Sequence, residues 1–105
     1  MKKFSDYLAT LETTDYIQKI DLFGKDASLV GTIENKPGSQ GSVKVYHHLL
    51  KKYGSINKEA AKEGLKIYAE HTQDAEENPG KHPNIDRLFG VIETGETLTA
   101  SISTL

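Results

Sequence analysis

The C-terminal segment, residues 96–105 of this 105-residue chain, alternates between apolar and polar side chains. Leu98, Ala100 and Ile102 are separated by threonine and serine. A period of two predicts a β-strand with one buried face. A single strand cannot satisfy its own backbone hydrogen bonds, so this segment needs a partner strand elsewhere in the chain.

Partner strands are predicted near the other end of the chain. Residues 17–23 and 28–34 both read as strands, and the turn residues 24–26 separate them. So short a connection predicts a β-hairpin. We therefore expect an antiparallel sheet of about three strands, with the C-terminal strand beside the N-terminal hairpin.

Four other segments show the apolar spacing of amphipathic helices. The third of them, residues 58–77, is predicted as one continuous helix that begins after the N-cap residue Asn57. The others are a short N-terminal helix, a helix that follows residues 35–42 and is closed by Gly54, and a helix that begins at Pro83 and ends at Gly95. The fold class is therefore α+β, a single domain over residues 1–105 in which a small antiparallel sheet packs against three to four helices.

Composition indicates a cellular compartment and excludes some kinds of site and partner. Because there are no cysteines, a disulfide and a thiolate metal site are excluded, and a reducing compartment is favoured. Lys2 and Lys3 have no apolar run behind them, so no signal peptide is predicted, and no segment is long enough to span a bilayer. We expect a cytoplasmic protein without membrane contact. A formal net charge of -2 argues against a nucleic-acid partner.

The first candidate site is the loop at residues 35–42. Glycines and serines directly precede a helix there, and the N-terminus of a helix offers free backbone N–H groups to an anion. This is neither a Walker sequence nor a dinucleotide fingerprint, and no motif indicates a cofactor. An ordinary connection between a strand and a helix is the alternative. The candidate anion-binding residues of this loop are Lys36, Gly38, Ser39, Gly41 and Ser42.

The second candidate site is the loop at residues 78–84, where two prolines flank a glycine before the next helix. It presents Lys81 and His82, and Arg87 follows one turn later. The alternative is a plain helix–helix connection. If both loops lie on one side of the domain, Lys36 and these three residues would converge on one anion.

Acidic residues at the end of the predicted long helix are unfavourable. Asp74, Glu76 and Glu77 lie in its last turn, where the helix dipole disfavours negative charge. Lys81, Arg87, a bound cation or solvent would compensate for them.

A metal-dependent hydrolase is an alternative function. His71 and Asp74 are three residues apart, His82 and Asp86 are four apart, and such pairs supply imidazole and carboxylate ligands. However, no His-Glu-x-x-His signature is present, and the spacing fits a half-buried structural histidine better. A homodimer formed through the C-terminal strand is a third hypothesis.

Three strings of sequence resemble a family of small uncharacterised bacterial proteins, a domain of unknown function of about this length. They are residues 33–42 followed by 45–47, residues 68–72 and residues 78–88. The resemblance implies a self-contained domain of bacterial cytosol and transfers no activity or catalytic residue. Because two loops that carry glycine and lysine each open a helix, we predict a non-catalytic binding or interaction module, with a small anion or an acidic group of a partner protein as its ligand.

Overall fold

The computed structural model of the chain describes residues 2–105. Over these residues it contains five α-helices and three β-strands. In chain order they are α1 (Phe4–Leu8), β1 (Ile17–Phe23), β2 (Leu29–Glu34), α2 (Gln40–Tyr53), α3 (Lys58–Tyr68), α4 (Glu70–Glu77), α5 (Pro83–Thr94) and β3 (Thr99–Thr104), with a 3-10 turn at Lys25–Ala27 between β1 and β2.

The strands form one antiparallel sheet in the order β2-β1-β3. Ile20 of the central strand lies opposite Ile33 on one side and Ile102 on the other. This confirms the α+β class, the N-terminal hairpin and the position of the C-terminal strand. Leu98, just before β3, forms a separate antiparallel bridge to Ile56 through two backbone hydrogen bonds of 2.8 and 3.0 Å.

The two faces of the sheet differ in chemistry. Ile20, Leu22 and Ile33 share one face and are buried in the core together with residues of α2, α3 and α5. On the opposite face, Asp21 accepts a hydrogen bond of 2.7 Å from the Thr32 hydroxyl and pairs with Lys19 at 3.6 Å. The helices therefore cover the apolar face of the sheet, as a half-buried antiparallel sheet requires.

The prediction of one continuous helix over residues 58–77 is wrong, because the helix breaks at Ala69. This alanine has φ 51° and ψ −116°, and its N–H bonds the carbonyl of Lys66 rather than that of Leu65. The Thr72 hydroxyl donates to the Leu65 carbonyl instead. The apolar spacing continues across the break with no glycine or proline, so no local signal marks it.

The carboxylate of Glu63 bonds side chains of another helix rather than lysines of its own. Glu63 of α3 accepts hydrogen bonds from Lys52 at 2.6 Å, Tyr53 at 2.8 Å and His48 at 2.6 Å, all of them on α2. Burial alone would raise the pKa of Glu63, but these donors together lower it to about 2. Glu63 is therefore a link between α2 and α3.

None of the helices within residues 2–105 has both the length and the apolar character that crossing a membrane requires.

Replacing Ala69 with glycine should stabilise the fold. A non-glycine residue in a sparsely populated region of positive φ costs about 1–3 kcal/mol, whereas glycine adopts positive φ freely but loses more chain entropy on folding. We expect Ala69→Gly to raise the free energy of unfolding by about 1 kcal/mol, as measured by urea denaturation followed by circular dichroism. Gln73→Gly, in the regular helix α4, should lower it by about 0.5–1 kcal/mol. A decrease of similar size for both variants would contradict the strain at Ala69.

Candidate functional site

Both sequence-predicted loops line the same pocket, which has a volume of about 410 Å³. We call it the loop pocket. Residues from α1 and from the junction between α3 and α4 complete its wall. Its lining residues are Phe4, Gly38, Ser39, Gly41, Ser42, Tyr68, His71, Lys81, His82, Pro83, Asn84 and Ile85.

The first loop leads into helix α2 without a side-chain cap. Gly38 has φ 95°, a conformation that favours glycine, and Ser39 occupies the N-cap position. The Ser39 hydroxyl donates backward to the Glu34 carbonyl at 2.5 Å and caps no amide of the helix. The first amides of a helix have no intrahelical acceptor. The first turn of α2, which brings Gly41 and Ser42 to the pocket, can therefore donate to a ligand.

The second loop is held by its own hydrogen bonds. The Gly80 N–H donates to Asp86 Oδ2 at 3.0 Å, and the Lys81 N–H donates to the Asn78 carbonyl at 3.1 Å. Pro83 begins α5, as predicted. This loop therefore presents Lys81 and His82 on a frame that is fixed at both ends.

Asp74 neutralises part of the positive charge beside the pocket. Its Oδ2 atom lies 2.6 Å from His82 Nε2 and 3.0 Å from Lys81 Nζ. The hydrogen bonds from His82 and Lys81 lower the pKa of Asp74 to about 2. The prediction that Lys81 compensates for negative charge at the end of this helix is therefore confirmed for Asp74. His82 is a second partner of Asp74, which the sequence did not predict.

Four rings run along one side of the pocket. Phe4 stacks on Tyr68 with ring centroids 5.1 Å apart, and it meets His71 edge to face at 5.1 Å. His71 and His82 follow with centroids 5.7 Å apart. Tyr68 is buried, and its hydroxyl donates to Ser42 Oγ at 2.7 Å, which joins this side of the pocket to the first turn of α2.

The predicted anion-binding residues separate into two groups. Gly38, Ser39, Gly41, Ser42, Lys81 and His82 line the loop pocket. Lys36 does not line it and pairs with Glu34 at 2.9 Å. Arg87 lies behind the pocket, where its Nη1 atom donates to Asn84 Oδ1 at 2.9 Å and to the Tyr46 hydroxyl at 3.2 Å. The predicted convergence of all four basic side chains is therefore not observed.

The predicted metal ligands do not form a centre. Over residues 2–105, no three or more histidine, aspartate or glutamate side chains are placed to hold a metal ion. Of the four residues proposed, Asp74 and His82 bond each other, and Asp86 accepts from the Gly80 amide. His71 packs against Phe4, close to the half-buried structural role that its spacing indicates.

Sequence reasoning missed Phe4 and the ring of Tyr68 as pocket residues. Phe4 and Tyr68 both lie on apolar helical stripes, which predict core positions, and they do pack against the core. Their contact with each other spans 64 positions of sequence and depends on how α1 docks. No local pattern carries that information.

The domain thus combines a three-stranded antiparallel sheet, five helices and a loop pocket between two helix starts. Residues 4–102 match the family described as "Uncharacterized protein conserved in bacteria (DUF2322)". The chain belongs to this family, which confirms the resemblance found in the sequence. No curated protein and no solved structure matches the chain.

Loss of the Asp74 charge should make the fold less stable in a pH-dependent way. A carboxyl group whose pKa is lower in the folded than in the unfolded state stabilises the fold above its ordinary pKa near 3.9. That stabilisation disappears as the pH falls toward 2. We therefore expect Asp74→Asn to lower the melting temperature at pH 5–7, with a difference from wild type that shrinks toward pH 2.

A control for this comparison is Glu77→Gln, which removes an exposed charge at the same end of α4. Because negative charge at a helix C-terminus is unfavourable, this variant should be as stable as wild type or slightly more stable at neutral pH. Equal melting temperatures for wild type and Asp74→Asn at pH 6 would contradict a stabilising role for the Asp74 contacts.

Proposed function

We propose that this protein is a small binding module and that the loop pocket takes a small anion. The observation that carries the proposal is the convergence of two helix-opening loops on one concave site. A volume of about 410 Å³ lies within the range of small-molecule sites, which is about 300–1,000 Å³. A concave site of this size favours a small ligand over an acidic surface of a partner protein.

Electrostatics of the pocket support an anion. Lys81 and His82 line it, and the uncapped first turn of α2 contributes backbone donors and the positive end of the helix dipole. Asp74 offsets one positive charge, so the backbone donors supply a large share of the attraction.

The proposed binding can be tested residue by residue with inorganic phosphate as the probe. In ¹⁵N–¹H correlation spectra, added phosphate should shift the amide signals of Gly41, Ser42 and Lys81 in a saturable way. The amides of Gly54 and Gly95 donate to the helix carbonyls of Leu50 and Val91, outside the pocket, and their signals should not move.

Two lysine variants provide a matched comparison. Lys36 lies in the first loop and Lys81 in the second, but only Lys81 lines the pocket. A hydrogen bond from a charged donor contributes about 1.5–3 kcal/mol, so Lys81→Ala should raise the dissociation constant for phosphate by about tenfold or more. Lys36→Ala should leave it unchanged. Absence of a saturable shift in the wild type, or equal effects of the two variants, would contradict the proposed site.

A further inference from the structure

The loop pocket has more apolar wall than an inorganic anion needs. Phosphate or sulfate would occupy only the polar end, next to the first turn of α2 and Lys81. Phe4, Pro83 and Ile85 line the same cavity. Small-molecule sites combine such an apolar wall with a few polar groups that orient the ligand.

Phe4 is held in the position that a ligand ring would contact. Its backbone N–H donates to Glu70 Oε1 at 2.8 Å, which ties the start of α1 to the start of α4. Its ring stacks on Tyr68 at a centroid distance of 5.1 Å and an interplanar angle of 22°. The ring is half-buried, so part of its surface remains open to the pocket.

Gly41 brings the ring of Phe4 close to the polar end of the pocket. A Cβ atom at residue 41 would lie 3.2 Å from two carbon atoms of the Phe4 ring, which is closer than most Cβ contacts. Glycine at this position therefore lets the ring approach the backbone of the first turn of α2. A ligand that bonds this backbone and contacts Phe4 has little room for a spacer between its charged and apolar parts.

We infer that the ligand of the loop pocket is a planar aromatic ring that carries a phosphate or carboxylate group directly. The inference rests on the proposed anion site and adds the class of molecule to it. The oxyanion bonds the first turn of α2 and Lys81, and the ring packs beside Phe4. The imidazole ring of His71 meets Phe4 edge to face, and the ring of His82 follows with its centroid 5.7 Å from that of His71, so both rings add to the wall beside Phe4.

Four probes separate the parts of this inference, with binding followed by the same amide signals. They are inorganic phosphate, phenyl phosphate, cyclohexyl phosphate and benzoate. Aromatic pairs contribute about 0.5–1.5 kcal/mol beyond the area they bury, so phenyl phosphate should bind about two- to tenfold more tightly than cyclohexyl phosphate. Both should bind more tightly than inorganic phosphate. Comparison of phenyl phosphate with benzoate identifies the preferred oxyanion.

Variants at position 4 test the ring contact directly. Phe4→Leu should remove the preference for phenyl over cyclohexyl phosphate. Phe4→Tyr keeps a ring and should keep the preference. Tyr7→Leu is the matched control, because Tyr7 also lies on α1 but does not line the loop pocket, and it should behave as wild type.

The outcomes distinguish this inference from the proposed function. If phosphate binds at the loops but phenyl phosphate binds no more tightly, the aromatic ligand class is wrong and the anion site stands. Equal affinities for phenyl and cyclohexyl phosphate would overturn the planar ring alone. If none of the four probes shifts the pocket amides, both the site and its ligand class are wrong.

Discussion

Backbone pairing on both sides of β1 is the constraint on which the rest of the structure depends. It joins the N-terminal hairpin to the C-terminal strand, so residues 17–34 and 99–104 are held in one sheet. Because β2 runs directly into the first loop, the sheet also sets where that loop lies. Asn35 strengthens this link, since its amide group donates to the Thr14 carbonyl at 2.9 Å and the Ile17 carbonyl at 2.7 Å. Asn35 therefore anchors the start of the loop to the segment before β1 and to the first residue of β1.

The hydroxyls of two buried tyrosines connect the helical core to the two loops of the loop pocket. Tyr46 of α2 donates to the Asn84 carbonyl at 2.5 Å, and Tyr68 of α3 donates to Ser42. Burial raises the pKa of Tyr46 to about 12 and also raises the pKa of Tyr68, so both hydroxyls remain protonated donors. A buried polar group without a partner costs about 1–3 kcal/mol. Each hydroxyl thus holds one loop at a defined distance from the core.

Local signals in the sequence were sufficient for most of the fold and for part of the site. Asn57 caps α3 by accepting from the Ala60 amide at 2.8 Å, and Gly54 and Gly95 end their helices in the left-handed conformation, as their positions predict. The break at Ala69 could not be predicted, because the apolar spacing continues across it and only the folded chain shows the hydrogen bond from Thr72 to the Leu65 carbonyl. The position of Arg87 could not be predicted either, because its guanidinium donates hydrogen bonds to Asn84 and Tyr46 instead of lining the pocket.

Asp74 shows how the break and the site are connected. It lies on α4, whose direction is set by the break at Ala69, and it accepts from both Lys81 and His82 of the second loop. These contacts order the two basic side chains, which would lower the entropic cost of the proposed anion binding. They also reduce the positive charge of the pocket, so attraction at long range is weak. The proposed anion site would therefore select by the fit of a small ligand to fixed donors, whereas a polyanion such as nucleic acid requires a broad excess of positive charge.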